Sequence, residues 1–126
     1  MKAREIFDKV KKHLTSQRGQ SSDPDGACLY RDPNGLKCAV GAIIPDELYS
    51  DKIEGETVKS IITRAILGKS EPLNVFLRKL EPHADLLTAL QRVHDRPISW
   101  DENGFSRYGK KALDRIEINY FGSDAE

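Results

Sequence analysis

Residues 28–49 of the chain, CLYRDPNGLKCAVGAIIPDELY, contain the turn around which the fold is organised. The tetrapeptide at 32–35, DPNG, combines a proline that presets one turn dihedral with an Asn-Gly pair that tolerates positive φ. Because short arms that each carry a cysteine flank this turn, the stretch predicts a small β-hairpin over about residues 28–38. Residues 39–44, AVGAII, are apolar enough to be buried, and their small side chains allow close approach of another backbone segment.

Apolar residues recur at helical spacing on both sides of this stretch. Helices are predicted over residues 3–16, 57–67, 70–80, 82–95 and 106–120, and Pro45 predicts a further short helix. The residues expected to face the core from the last segment are Phe105, Tyr108, Ala112, Leu113, Ile116 and Tyr120. The expected fold class is mainly α, with five to six helices and one β-hairpin. It forms a single domain over residues 1–121, followed by a frayed acidic tail over 122–126.

The composition is that of a globular chain without an excess of either charge. Its 126 residues include 20 Lys and Arg against 20 Asp and Glu. A general nucleic-acid coat, which needs a concentrated basic surface, is therefore not expected. No apolar run is long enough to cross a membrane, and the first residues are amphipathic rather than typical of a signal peptide. We expect a cytoplasmic protein that does not bind membranes, with its two cysteines present as thiols.

Cys28 and Cys38 raise the question of a metal site. Nine residues separate them, a longer spacing than that of a zinc knuckle. His83 and His94 would complete a Cys2His2 set, but the helix between them places their rings about 16 Å apart. Free cysteines in apolar surroundings usually pack as small hydrophobic residues. We therefore expect neither a metal nor another cofactor.

A catalytic set can be written from the same part of the sequence. Cys38 would be the nucleophile, with His94 or His83 as its base. Asp95 or Asp85 would orient that base. A nucleophilic cysteine needs a partly exposed, electropositive environment, whereas Cys38 precedes an apolar run. An enzyme that uses Cys38, His94 and Asp95 therefore remains the alternative, and a non-enzymatic protein is the first interpretation.

Several charged and aromatic residues are candidates for binding a partner. Lys9, Lys11 and Lys12 lie outside the apolar stripe of the first helix and form a basic patch. The other candidates are Tyr30, Arg31, Lys37 and Trp100. Each has a structural alternative, because such residues also form solvated helix faces, cross-strand ion pairs or, for a tryptophan, a cover over the core.

The series CxYR, G, KCAxG, IPD, Y, EG and LQxxHD resembles the pattern of a family of small uncharacterised proteins found in proteobacteria and their phages. The matching residues are Cys28, Tyr30, Arg31, Gly35, Lys37, Cys38, Ala39, Gly41, Ile44, Pro45, Asp46, Tyr49, Glu54, Gly55, Leu90, Gln91, His94 and Asp95. The resemblance covers roughly residues 3–95. It implies no activity, but it implies a setting among accessory genes of bacteria and mobile elements, where small proteins often act by binding one macromolecule.

A small non-enzymatic protein-binding module is therefore the expected function, and in that setting it would bind and inhibit a bacterial host or defence protein. Nucleic-acid binding through the basic first helix is the weaker alternative, because the net charge is zero. A further hypothesis assigns the matching charged residues to structure, since buried charges must be paired. In that hypothesis Arg31, Asp46, Glu54, His94 and Asp95 form one buried polar network.

Overall fold

The computed structural model describes residues 1–122 of the chain. Residues 123–126, which make up most of the predicted acidic tail, lie outside the described residues. Within 1–122 the chain forms helices α1 (Ala3–Ser16), α2 (Ala39–Ile43), α3 (Val58–Leu67), α4 (Pro72–Arg78), α5 (Ala84–Asp95) and α6 (Arg107–Phe121). Strands β1 (Trp100–Asp101) and β2 (Gly104–Phe105) form one antiparallel hairpin. The expected fold class, mainly α with one hairpin, is confirmed.

Local signals in the sequence set the helix boundaries. The Thr57 hydroxyl accepts the N–H of Ser60 at 3.1 Å and begins α3, and Gly68 ends it. Pro72 occupies the start of α4, where its missing N–H has no helical partner to lose. Ser106 begins α6 in the same way as Thr57 begins α3. Short 3-10 turns at Asp46–Leu48, Asp51–Ile53, Glu81–His83 and Pro97–Ser99 connect the helices.

One hydrophobic core joins the helices, and α5 lies at its centre. This helix contacts α1, α2, α3 and α6, while α4 packs on α3. Side chains that are fully or almost fully buried in the core include Ile6, Phe7, Val10, Leu14, Val40, Ile43, Ile61, Leu87, Leu90 and Leu113. Within residues 1–122, no helix is both long and apolar enough to span a membrane. Because α5 is central, one side of it faces the 28–38 segment and another side faces α6.

Residues 28–38 turn back on themselves but do not form a ladder of strands. A single bridge, Arg31 with Lys37, lies between the two arms. Two backbone hydrogen bonds flank it, from the N–H of Asp32 to the carbonyl of Leu36 at 3.0 Å and from the N–H of Cys38 to the carbonyl of Tyr30 at 3.1 Å. The backbone groups that point away from this pair are bound by side chains rather than by a further strand. The Gln17 carboxamide binds both the N–H and the C=O of Lys37, each at 2.8 Å, and the Glu54 carboxylate accepts two further N–H groups. The hairpin predicted here is therefore wrong as a pair of strands: the segment is a turn with one bridge, and these side chains hold it in place.

The strand pair of the fold lies at residues 100–105, between the segments predicted as the last two helices. Trp100 pairs with Phe105 and Asp101 with Gly104. The two aromatic rings meet edge to face, with centroids 5.2 Å apart. This cross-strand aromatic contact stabilises a hairpin that the sequence pattern alone did not indicate.

The last helix presents a different face to the core from the one predicted. Leu113 and Ile116 are buried as expected, but Tyr108 is 64% exposed and Tyr120 is 44% exposed. Tyr108 lies five residues before Leu113, which corresponds to a rotation of about 140° around the helix. Its ring therefore points away from the core and contributes to the surface between α5 and α6.

Candidate functional site

Seven residues of the sequence pattern come together between the 28–38 segment and α5. The set Cys28, Tyr30, Arg31, Cys38, Glu54, His94 and Asp95 is termed the motif cluster. The 28–38 segment contributes four of these residues, α5 contributes two, and Glu54 follows the Asp51–Ile53 turn. Gly41 permits this packing, because a Cβ at that position would lie 1.9 Å from the carbonyl oxygen of Tyr30.

Arg31 is the cation of the motif cluster, and only 15% of its side chain is exposed. Its guanidinium donates to the carbonyl oxygens of Gly41 and Ile44 at the end of α2. It also forms an ion pair with Asp46 at 2.8 Å, and its Cζ lies 4.9 Å from the centroid of the Tyr49 ring. Internal partners thus occupy the edges and one face of this guanidinium.

Asp46 is the exposed end of this group. The Lys37 Nζ lies 3.3 Å from its carboxylate, and this cation, followed by Arg31, holds the pKa of Asp46 below its usual value. Lys37 is therefore used in an internal ion pair, although it was a candidate for contact with a partner.

Glu54 collects three donors on one carboxylate. It accepts the N–H groups of Tyr30 at 2.8 Å and of Arg31 at 3.1 Å, and the hydroxyl of Tyr49 at 2.5 Å. Tyr30 itself is buried, and its hydroxyl donates to the carbonyl of Glu56 at 2.6 Å. A carboxylate with this many donors fixes the conformation of the 28–38 segment.

His94 and Asp95 form a second hydrogen-bonded group at the end of α5. The His94 ring is fully buried, and its Nε2 accepts the N–H of Ser21 at 3.0 Å. The proton of the neutral ring must therefore be on Nδ1, which donates to Asp95 Oδ1 at 2.8 Å. Gln91 donates to the same oxygen at 3.1 Å. The five charged residues of the network hypothesis thus lie in two neighbouring groups, one around Arg31 and Glu54 and one around His94.

Cys28 lies beside the second group and makes it a possible metal site. Its Sγ, a ring nitrogen of His94 and a carboxylate oxygen of Asp95 all lie within 4.8 Å of one another. A metal on Nδ1 would displace the ring proton to Nε2, where it would face the N–H of Ser21. Burial also raises the pKa of the Cys28 thiol to about 12, with Asp95 contributing. His83 takes no part, because its Nε2 lies 2.9 Å from the carbonyl of Met1. The geometry therefore does not favour a metal at this site.

Cys38 is also poorly placed for nucleophilic catalysis. Its side chain is fully buried, and Sγ accepts the N–H of Gly41 at 3.3 Å at the start of α2. A helix N-terminus lowers a thiol pKa in the open, but burial dominates here and raises the pKa of Cys38 to about 12. The cysteine that approaches His94 and Asp95 is Cys28 rather than Cys38.

The remaining candidates for contact with a partner differ in how accessible they are. The Trp100 indole N–H donates to the carbonyl of His94 at 2.8 Å, and its ring packs on Phe105. Lys9 and Lys12 of α1 are exposed, and Lys11 is half-buried. Within the described part of the chain these three lysines form no ion pair. They form a solvated basic patch, and they line neither a cleft between α3 and α4 nor one between α5 and α6.

Two surface clefts lie apart from the motif cluster. One, of about 610 Å³, lies between the 46–53 turns and helices α3 and α4. Its lining carries charges of both signs, Glu47, Lys52, Arg64 and Glu71. The other, of about 590 Å³, lies between α5 and α6 and is termed the α5–α6 cleft. Its charged lining residues are Arg92, Arg96, Lys111 and Arg115, and no acidic residue of the described chain lines it.

The sequence interpretation missed the α5–α6 cleft. The only local signal of this cleft was two pairs of cations four residues apart, Arg92 with Arg96 at the end of one helix and Lys111 with Arg115 within another. That signal acquires meaning only when the two helices are known to be neighbours.

Comparison of the chain with models of protein families, with curated proteins and with solved structures finds no match.

Proposed function

We propose that this protein is a small non-enzymatic module that binds another protein. The observation that carries the proposal is that the motif cluster is saturated by internal bonds. The guanidinium of Arg31, the carboxylate of Glu54 and both ring nitrogens of His94 are occupied by groups of the same chain. Buried polar groups bonded in this way stabilise one conformation, which leaves function to the surface.

The charge distribution favours a protein partner over nucleic acid. The chain carries 20 basic and 20 acidic residues, and one cation of α1, Arg4, is paired with acids. Arg4 pairs with Asp8 at 3.3 Å and with Glu117 at 2.5 Å. Exposed apolar residues such as Ile98 and Tyr108 supply the kind of contact that protein interfaces use.

The resemblance to small proteins of proteobacteria and their phages adds a setting to this proposal. In that setting the partner is a bacterial host or defence protein, and binding inhibits it in the cytoplasm. The alternative is a small enzyme that uses Cys38, His94 and Asp95, and the two proposals differ in what they require of the thiols.

Thiol reactivity separates the binding module from the enzyme. At neutral pH a thiol whose pKa is about 12 instead of 9.0 has a thiolate fraction roughly a thousandfold lower. Cys38 in the folded protein should therefore react with iodoacetamide on the order of a thousandfold more slowly than in the unfolded chain, as followed by mass spectrometry. Cys28 serves as the internal control, because it has a similarly raised pKa but is only partly buried. Fast labelling of Cys38 in the folded protein would support the enzyme instead.

Capture from a proteobacterial lysate tests the binding proposal directly. The immobilised full chain should retain a protein after nuclease treatment. The purified partner should rebind the chain, and its activity should fall when the chain is added. A partner that disappears on nuclease treatment would point to nucleic acid, and failure to retain any protein would contradict the proposal.

A further inference from the structure

We propose that the α5–α6 cleft binds an acidic segment of a protein partner, and that this segment also carries a large apolar side chain. The inference rests on the proposed function, because it names the surface and the chemistry of the partner for the same binding activity. It uses residues that lie outside the motif cluster and outside the basic patch of α1.

The cations that line the cleft have no partner among the described residues. None of Arg92, Arg96, Lys111 and Arg115 forms an ion pair or a side-chain hydrogen bond with another residue of 1–122, whereas Arg4, Arg31, Lys37, Lys59 and Arg64 all pair with acids. Four like charges around one concave surface raise the local potential above that of an exposed patch. In a chain with zero net charge, this concentration is a complement for an acidic segment.

The four cations are arranged in two rows along the chain. Arg92 lies in the last turn of α5 and Arg96 directly follows that helix, while Lys111 and Arg115 lie one turn apart in α6. Like charges at this spacing repel and reduce helix stability slightly. This repulsion is not offset at Lys111 and Arg115 in the middle of α6, whereas cations at the C-terminal end of α5 also interact favourably with the helix dipole. Both rows flank the cleft and present their charges to whatever enters it.

Apolar side chains line the surface between the two rows of cations. Val93 and Ile116 are buried residues that reach the cleft from the core. At its edge, Ile98 is 59% exposed and Tyr108 is 64% exposed. A buried apolar centre within a charged rim is the usual composition of a protein-binding site, and exposed tyrosines and arginines are the residue types that contribute most to affinity there.

The cleft is also formed before any partner binds. The hydroxyl of Ser106 donates to the carbonyl of Ile98 at 2.7 Å, and its N–H donates to the carbonyl of Ser99 at 2.7 Å. The same hydroxyl accepts the N–H of Gly109 at 3.2 Å. These bonds hold the Pro97–Ser99 turn against the start of α6, so the backbone of the cleft loses little conformational entropy on binding.

Peptide titration with the full chain tests this assignment. The probe is a fluorescein-labelled peptide with glutamates on both sides of one central phenylalanine. It is compared with the same peptide carrying alanine at the centre and with a single-stranded oligonucleotide of equal charge. Fluorescence anisotropy should show saturable binding of the phenylalanine peptide, weaker binding of the alanine peptide, and a loss of affinity with added salt.

Matched charge reversals locate the site. Arg92→Glu with Arg115→Glu should reduce peptide affinity at least about tenfold, because one cation of each row becomes an anion and the positive charge of both rows is cancelled. Lys9→Glu with Lys12→Glu changes the net charge equally on α1 and should leave the affinity nearly unchanged. Tyr108→Ala should weaken the phenylalanine peptide more than the alanine peptide. Thermal unfolding of each variant confirms that the fold is retained.

Several outcomes would overturn the assignment. They are the absence of saturable peptide binding, equal losses in the α1 and cleft variants, and tighter binding of the oligonucleotide than of the peptide. A fourth is a concentration-dependent dimer that the cleft reversal abolishes, which would make a second copy of the chain the occupant. If the cleft variant still captures the same lysate protein, the assignment fails and the proposed function stands. If the parent captures nothing while the peptide binds, the proposed function fails.

Discussion

The motif cluster and the α5–α6 cleft divide the polar residues of this protein in opposite ways. In the cluster, the buried ring of His94 and the half-buried carboxylate of Glu54 are each bonded within the chain. In the cleft, cations such as Arg92 and Arg115 make no ion pair or side-chain hydrogen bond with any residue of 1–122. The most distinctive part of the sequence therefore has its clearest use in the fold, and a less distinctive part offers the surface for binding.

This difference has a thermodynamic basis. A buried polar group that loses its partner is desolvated without compensation, whereas an exposed cation remains hydrated whether or not it is paired. Substitutions in the cluster should therefore change stability, and substitutions in the cleft should change binding. That division can be tested by substitution, and the expected effect on stability decreases from the cluster to the cleft.

The largest effect is expected from Gly41→Ala. The added Cβ would lie 1.9 Å from the carbonyl oxygen and 2.8 Å from the carbonyl carbon of Tyr30, so a backbone segment of the cluster would have to move. We expect a loss of about 3 kcal/mol or more in the free energy of unfolding, measured by denaturant titration. Gly19→Ala is the matched control, because its Cβ would meet only a side-chain atom at 4.0 Å. Equal effects of the two substitutions would show that the close approach is unimportant.

Replacement of His94 by leucine should be the next most damaging change. The variant keeps an apolar side chain in the core but leaves the buried N–H of Ser21 without its acceptor, at a loss of about 2 kcal/mol. Ser21→Ala provides the control, since the Ser21 hydroxyl is buried without a hydrogen-bond partner in residues 1–122. That control should be neutral or slightly stabilising by the same measurement. A His94→Leu variant of parental stability would remove the structural role assigned to the ring.

Some features of the fold could be predicted from the sequence, whereas the conformation of residues 28–38 and the α5–α6 cleft could not. Helix α3 was predictable because Thr57, its apolar stripe and Gly68 are local signals. The conformation of residues 28–38 was not, because the side chains that bind its backbone, Gln17 and Glu54, lie elsewhere in the chain. The cleft was missed for the same reason, since its two rows of cations meet only after α5 packs on α6.

A smaller effect is expected from pH, through His13 beside the 28–38 segment. Burial lowers the pKa of His13 below 6.5, although its Nε2 lies 3.0 Å from the carbonyl of Lys37. Between the two pKa values the unfolded chain binds more protons, so stability should be complete above pH 6.5 and decline as the pH falls through the folded pKa. His13→Gln should decline less over this window in parallel denaturant titrations. A variant that follows the parent at every pH would assign the decline to other groups.

The smallest effect on stability should come from the cleft itself. Lys111→Gln removes one of two like charges spaced one helical turn apart in α6. The free energy of unfolding should therefore rise by about 0.3 kcal/mol. The gain should be present at low salt and vanish at high salt, because screening already removes the repulsion. Lys110→Gln is the control, since this neighbouring lysine does not line the cleft. A loss of stability in Lys111→Gln that persists at high salt would mean that Lys111 has a structural partner, and the division between cluster and cleft would not hold at that position.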